Sequence, residues 1–411
     1  MLNNLRIWIA KRYQKIINSI AFYPALIAFS FLILSYLFIA FDFSDAGKQI
    51  KSQLHWLSLK DASTARSIIS SIAGGIISLT VFSFSMVMII LNQTASQMSN
   101  RILDKLIGNR FQQIVLGVYI GTIVFALFLL STIRDLDSGI SVPALSTYLL
   151  ILLTIVDIFL FIYFLHFITQ SVKYEVIIRR IYSETKSKMK NHCPLKEEGK
   201  KDALPANEFF ANANSSGVYE GFNKSTLLQL CSKNDCVLHV LKPPGTFVYS
   251  NTPLVRISKK IKDEAATEIA NSLYIHDNES IDNNFFYGFR QLMEVAIKAL
   301  SPGINDPGTA VQCLRALSKL FIFRMNNFPA GQVKDKEGRA RIIVEEITPG
   351  DMFSICFLPI WKYGKDDLMI QSELLQILTH LRLFTNIPTV NKLYNQVAFA
   401  IKNEELHYSS L

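Results

Sequence analysis

The sequence predicts an α-helical transmembrane bundle of about four spans followed by a cytoplasmic α+β domain, mostly helical with a small β module. Three observations lead there. Half of the 411 residues are hydrophobic and only 18% are charged, where soluble domains run near one-quarter charged. The apolar excess lies in residues 1–170, and the chain beyond residue 180 has a soluble composition. Within the first part, four stretches stay apolar for the roughly 20 residues a helix needs to cross the hydrocarbon.

The four spans are read at 20–41, 68–91, 114–133 and 143–168, within a transmembrane domain covering 1–170. The first has too long an apolar core for a cleavable signal peptide, and no small-residue cleavage site precedes Asp42. Flanking charge sets orientation. Thirteen Lys and Arg flank one side: Arg6, Lys11, Arg12, Lys15, then Arg101, Lys105, Arg110, then Lys173, Arg179, Arg180, Lys186, Lys188 and Lys190. The other side has five: Lys48, Lys51, Lys60, Arg66 and Arg134, diluted by Asp42, Asp45, Asp61, Asp135 and Asp137. Both termini are therefore expected in the cytoplasm. Much of the net charge of +9 is accounted for by these flanks, and no nucleic-acid-binding pattern is present.

Two features inside the spans point to function. In the second, Ser71, Ser78, Ser85, Asn92 and Ser99 recur every seven residues, with Gly74 and Gly75 beside them. A heptad repeat keeps such side chains on one narrow stripe. Small residues there permit close helix packing and hydroxyls can bond across it, so the stripe is a candidate packing face or pore lining. Against this, Ser and Thr are tolerated in membrane helices because they bond their own i−4 carbonyl, and Ser70, Thr80 and Ser83 lie off the stripe. In the fourth span, Asp157 near the middle and His166 near the cytoplasmic end form a candidate ionisable site, because an intramembrane charge is costly. The bland alternative for Asp157 is an acid kept protonated by burial and bonded to a neighbour such as Thr154, one turn away.

The second half divides into a helical extension and linker at 171–216, a β module at 217–258 and a mostly helical domain at 259–411. The stretch 173–190 reads as the fourth helix running on into the cytosol. Strands are expected at 237–241, 247–249 and 254–257, separated by turns at Pro243-Pro244-Gly245 and 250–253. The phrase Gly245-Thr-Phe-Val248, followed by Pro253-Leu254, is similar to half of a barrel-sandwich fold, which reads here as a small β spacer. Helices are expected at 263–274, 285–300, 352–361, 366–383 and 390–406. The 285–300 helix buries Phe285, Phe289, Leu292, Ala296 and Leu300 and exposes Arg290, Glu294 and Lys298. A breaker cluster, Ser301 to Thr309, then joins it to an amphipathic helix that Asp306 caps and Pro307 opens. Arg290, Ser301, Asn305 and Asp306 make a candidate loop site. There Asn305 and Asp306 either bond backbone N–H groups or face a cleft with Arg290 to hold a ligand.

The five cysteines, Cys193, Cys231, Cys236, Cys313 and Cys356, all fall in the second half at irregular spacing, which fits reduced thiols rather than a disulfide framework. Cys231, Cys236 and His239 lack a fourth ligand nearby and make a poor zinc pattern. No nucleotide loop, nucleophile elbow or zinc-protease motif occurs. No catalytic residue, metal or cofactor is therefore assigned.

Ala299-Leu-Ser-Pro-Gly-Ile-Asn-Asp-Pro-Gly-Thr-Ala310, preceded by Tyr287-Gly-Phe-Arg-Gln-Leu292, resembles the signature of a bacterial family of predicted membrane proteins of unknown function. Thr94-Ala-Ser-Gln-Met-Ser-Asn-Arg101 is similar to the family's second motif, departing from it at Asn100 as the first motif does at Gly308. The resemblance implies a bacterial cell membrane and no particular activity. Two functions follow as expectations. One is a homo-oligomeric channel or solute pathway built on the second span and gated by the cytoplasmic half. The other is a membrane-anchored sensor or scaffold that binds a small ligand, ion or protein without conduction.

Overall fold

The computed structural model describes residues 19, 21–53, 61–97, 110–133, 143–197, 209–276, 281 and 284–409. The chain folds as two units, one spanning 1–96 and 102–173, the other 97–101 and 174–411.

The first unit holds four helices long and apolar enough to cross a membrane: α1 (Phe22–Phe43), α3 (Ala62–Gln97), α4 (Arg110–Thr132) and α5 (Ala144–Ser171). A short polar helix, α2 (Asp45–Gln53), follows α1. The closest approach is between α1 and α4, and two glycines four residues apart make it possible. A Cβ on Gly117 would lie 2.7 Å from Ile27 Cδ1, and one on Gly121 2.7 Å from the Phe31 ring. Small residues at this spacing let membrane helices approach to backbone contact. α3 joins the bundle through one face only, where Ala62, Ala65, Ile69, Ala73, Ile76 and Ser83 are buried. At one end of the bundle the buried Asp42 accepts from Lys51 Nζ at 2.7 Å and from the backbone N–H of Ser146 at 2.8 Å, in the first turn of α5. That carboxylate compensates an unsatisfied helix N-terminus.

The fourth span does not run on to residue 190. It ends at Ser171, and a separate helix, α6 (Tyr174–His192), begins after Val172–Lys173. The Thr169 and Ser171 hydroxyls bond back to the Leu165 and Phe167 carbonyls, which loosens the last turn. The new helix buries a different face, Ile177, Ile178, Ile181, Thr185 and Met189.

In the second unit the β content is larger than the sequence suggested. β1 (Phe209–Asn212), β2 (Gly217–Phe222), β3 (Leu238–Val240), β4 (Thr246–Val248), β5 (Pro253–Ile257) and β6 (Leu273–His276) are joined by β7 (Gln332–Lys334) and β8 (Ala340–Val344). They form a five-stranded sheet of order β1-β5-β3-β8-β7 and a three-stranded sheet of order β4-β2-β6. The sheets are open, and β3 pairs with β8 in parallel, so this is no barrel-sandwich half. α7 (Lys224–Asn234) and α8 (Asp263–Asn271) cover the sheets, with Leu227, Cys231, Leu238, Val240, Leu254, Val255, Ile269 and Ile342 in one core.

α9 (Phe286–Ala299), α10 (Pro307–Met325), α11 (Pro349–Gly364), α12 (Leu368–Leu381) and α13 (Pro388–Ser409) make the helical part. Phe353 stacks on Phe357 at 4.6 Å between centroids, and Phe321 packs against both. α6 lies along α9 and α10, admitted by Gly288, where a Cβ would fall 1.8 Å from Thr185 Oγ1.

Candidate functional site

Each feature singled out in the sequence has a definite place, and some of them differ from expectation. On α3, Ser71, Gly74, Ser78, Ser85 and Asn92 are all exposed, on the face away from the buried Ala62–Ser83 row. Gly74 and Gly75 have nothing within 4 Å of where a Cβ would be, so they do not bring two helices of this chain together. The Ser78 and Ser85 hydroxyls donate to the Gly74 and Val81 carbonyls of their own helix. The helix continues to Gln97, while Ser99 and Arg101 lie outside the described residues.

Asp157 is fully buried, whereas His166 is exposed, so the two do not form one site. Nor does Asp157 bond Thr154, whose hydroxyl donates to Leu150 O of its own helix at 2.8 Å. Its neighbours come from another span: Thr122 and Tyr119 on α4 lie beside the carboxyl, and Ser83 on α3 lies beside the Tyr119 hydroxyl. Tyr119 and Thr122 are fully buried and Ser83 nearly so, and none of these side-chain oxygens has a hydrogen-bond partner among the described residues. Single polar residues on three apolar helices carry little signal separately. Even the pair Tyr119 and Thr122, three apart on one face of α4, does not by itself point to Asp157. A cavity of ≈ 150 Å³ reaches this cluster, lined by Ser83, Gln113, Tyr119, Val115, Met88 and Phe164.

At the loop, Asp306 caps the helix that follows. The Asp306 carboxylate accepts from the backbone N–H of Thr309 at 3.0 Å and from its hydroxyl at 2.6 Å. Asn305 is exposed at φ 49°, a left-handed conformation that Asn tolerates better than most residues; it supplies a turn, not a second cap. The Ser301 hydroxyl donates to Lys298 O. Arg290 lies 6.0 Å from the centre of the Tyr287 ring.

A cleft that the motifs did not reveal sits in the second unit. It has a volume of ≈ 390 Å³ and is lined by Glu220 and Phe222 of β2, His192 of α6, Asn284, Phe285 and Glu346 among others. The Tyr287 hydroxyl donates to Glu220 Oε1. His192 Nε2 meets Glu346 Oε1 at 3.0 Å. Asn284 donates to Pro244 O at 2.9 Å, and its Oδ1 accepts from the N–H of Phe286. Gly245, at φ +92°, makes room for that amide, since a Cβ there would lie 2.9 Å from Asn284 Nδ2. A second concavity of ≈ 420 Å³ shares Glu220, Gly221 and Phe222 and adds Tyr274 and His276. The first cleft carries two carboxylates, Glu220 and Glu346, beside aromatic side chains, which suits a ligand that offers hydrogen-bond donors. Nearby, burial pushes the Cys193 thiol up to about 11.

Cys231 and Cys236 are buried in the β core, and His239 turns away to Glu345 Oε1 at 2.9 Å. Among the described residues no three His, Cys, Asp or Glu side chains are grouped to hold a metal ion.

Four long apolar helices followed by a mostly helical domain with small β-sheets define an integral membrane protein with a folded C-terminal half. The family described as "Predicted membrane protein (DUF2254)" matches residues 17–380, and the chain belongs to it. Uncharacterized proteins of Mycobacterium bovis and Mycobacterium tuberculosis are each 21% identical over 328 residues, covering 77% of this chain. The match spans 63% of the length of those relatives. No solved structure matches the chain.

Proposed function

We propose that the protein assembles as a homo-oligomer around its second span and carries a solute or ion across the bilayer under control of its C-terminal half. The observation that carries this reading is the exposed stripe of Ser71, Gly74, Ser78, Ser85 and Asn92 on α3. Facing lipid, such residues gain nothing, and apolar ones would lower the insertion cost. Facing another copy or a wetted path, they allow close approach and hydrogen bonding. α3 also buries least of the four spans within the chain, 11% of its apolar window against 44% for α4, so it has most surface left for a partner. The acidic cleft is where a controlling ligand would act, and the charge asymmetry supports placing both termini, and that cleft, in the cytoplasm.

The test is oligomer size in detergent and flux in liposomes. Ser78→Leu and Ser85→Leu are expected to break the oligomer or abolish flux. Ser70→Leu is the same chemical change on an exposed position roughly 80° round the helix, and it is expected to leave both intact. Equal behaviour of the three variants would remove the stripe from the account.

The cleft favours a second reading, a membrane-anchored sensor without conduction. Its signature would be a stable oligomer with no flux for any common ion, and a cleft ligand that raises the unfolding midpoint.

A further inference from the structure

We infer that Asp157, Thr122, Tyr119 and Ser83 form an intramembrane binding site for a monovalent hard cation of the sodium type. The inference concerns the interior of a single bundle and does not rest on the oligomer reading above.

The four side chains come from three different spans and are buried in the bundle, Thr122 and Tyr119 beside the Asp157 carboxyl and Ser83 beside the Tyr119 hydroxyl. Thr122 is about 18 Å along α4 from Arg110, and Asp157 is about 20 Å along α5 from Ala144, at 1.5 Å per residue. Both therefore sit near the middle of a hydrocarbon layer about 30 Å thick. There a carboxylate without compensation is strongly disfavoured, and it persists only with a partner or a function. No basic residue supplies that partner: among the described buried residues of this unit, the only charged ones are Asp42 and Asp157. Asp42 is already paired with Lys51. Both carboxylate oxygens of Asp157 are buried without a hydrogen-bond partner among the described residues, as are the Thr122 and Tyr119 hydroxyls beside it and the Ser83 hydroxyl beside Tyr119.

The donor set chooses the ligand. All of it is oxygen, a carboxylate and three hydroxyls, which suits hard cations rather than the softer metals that prefer imidazole or thiolate. The set carries one negative charge. A monovalent ion makes the site neutral, whereas a divalent ion would leave a net positive charge in low dielectric, at a large solvation cost. A cavity borders two members of the set, Ser83 and Tyr119. It is lined by Gln113 as well, whose buried side-chain oxygen has no hydrogen-bond partner among the described residues. Gln113 is one turn from Arg110 at the start of α4. Gln113, Ser83 and Tyr119 thus border the cavity, and Tyr119 is the side chain that lies next to Asp157.

The experiment is binding of radioactive sodium to the purified full-length protein in detergent, at constant ionic strength with choline chloride as the balancing salt. Saturable binding is expected in the wild type and none in Asp157→Asn. Thr122→Val and Ser83→Ala keep the carboxylate and are expected to weaken the apparent affinity tenfold or more. Absence of saturable binding in the wild type would overturn the proposal, as would binding that survives unchanged in Asp157→Asn. Should Asp157→Asn fail to fold, wild-type affinity in both hydroxyl variants would overturn it. Loss of sodium binding with an unchanged oligomer would separate this site from the assembly face.

Discussion

Gly288 carries a larger share of the second unit's packing than its size suggests. The buried Thr185 of α6 occupies the space where its side chain would be. Gly288→Ala is expected to destabilise the protein by about 1–3 kcal/mol, the usual penalty for overpacking. Thr185→Ala should rescue it only in part, since Thr185 Cβ would still lie 2.8 Å from the new Cβ. Urea unfolding of the single and double variants measures both effects. The Asp306 cap is a separate device: Asp306→Ala should cost about 0.5–2 kcal/mol through stability alone, because its carboxylate is directed to Thr309. Loss of function with full stability would instead make the loop a ligand site. A third residue sets the response to acid. The Arg341 guanidinium bonds Asp335 at 2.8 Å and Asp235 at 2.9 Å and holds both carboxyls below their ordinary range. A depressed folded pKa contributes stability above the unfolded value, about 3.9, and that contribution is lost as pH falls from there through the folded value. Wild-type unfolding followed from pH 7 to 3 should therefore lose this contribution below about pH 4. Arg341→Met should be less stable at neutral pH, with a flatter acid limb.

Among the elements, the helix–helix approach on which the bundle depends is that of α1 and α4. Gly121→Leu should disrupt it, because even a Cβ would fall 2.7 Å from the Phe31 ring, whereas Gly74→Leu meets nothing within the chain. Thermal stability of the two variants in detergent, with the protomers separated, is expected to fall for the first and hold for the second. The contrast shows what the sequence made legible. Hydropathy alone located all four spans, because hydrocarbon imposes length and apolarity on every crossing helix. The direction a helix faces depends on its neighbours, so nothing in the sequence singled out Gly117 and Gly121 for the close contact within the chain, where Gly74 and Gly75 meet no other helix. Asp157 was legible because a single carboxylate in an apolar run is conspicuous. Ser83, Tyr119 and Thr122 were not, since their meaning lies in a meeting of three helices. In the second unit β3, β4 and β5 followed from β-branched runs between turns. β7 and β8 are short, and β8 finds its parallel partner about a hundred residues away in β3, a pairing that no local pattern specifies. The acidic cleft was hidden for the same reason, although Tyr287, which bonds Glu220, stood inside a recognisable motif.

At the scale of the whole molecule, the account makes a claim about sidedness and a claim about assembly. The five native cysteines are buried, so introduced thiols can be read against a low background. With both termini in the cytoplasm, a membrane-impermeant maleimide applied to intact cells should label Ser138→Cys and spare Asn191→Cys. The reverse pattern would invert the topology and place the acidic cleft outside. Assembly through α3 is the central claim, and oxidative cross-linking in native membranes tests it most directly. Ser78→Cys and Ser85→Cys should each yield a disulfide-linked dimer, because in an assembly through this face small stripe positions on neighbouring copies would come within the 4.4–6.8 Å Cα separation a disulfide spans. Phe84→Cys, exposed on the same helix but roughly 100° from Ser85, should not. Dimers at Phe84 as abundant as at Ser78 and Ser85, or none at any of the three, would contradict assembly through this face.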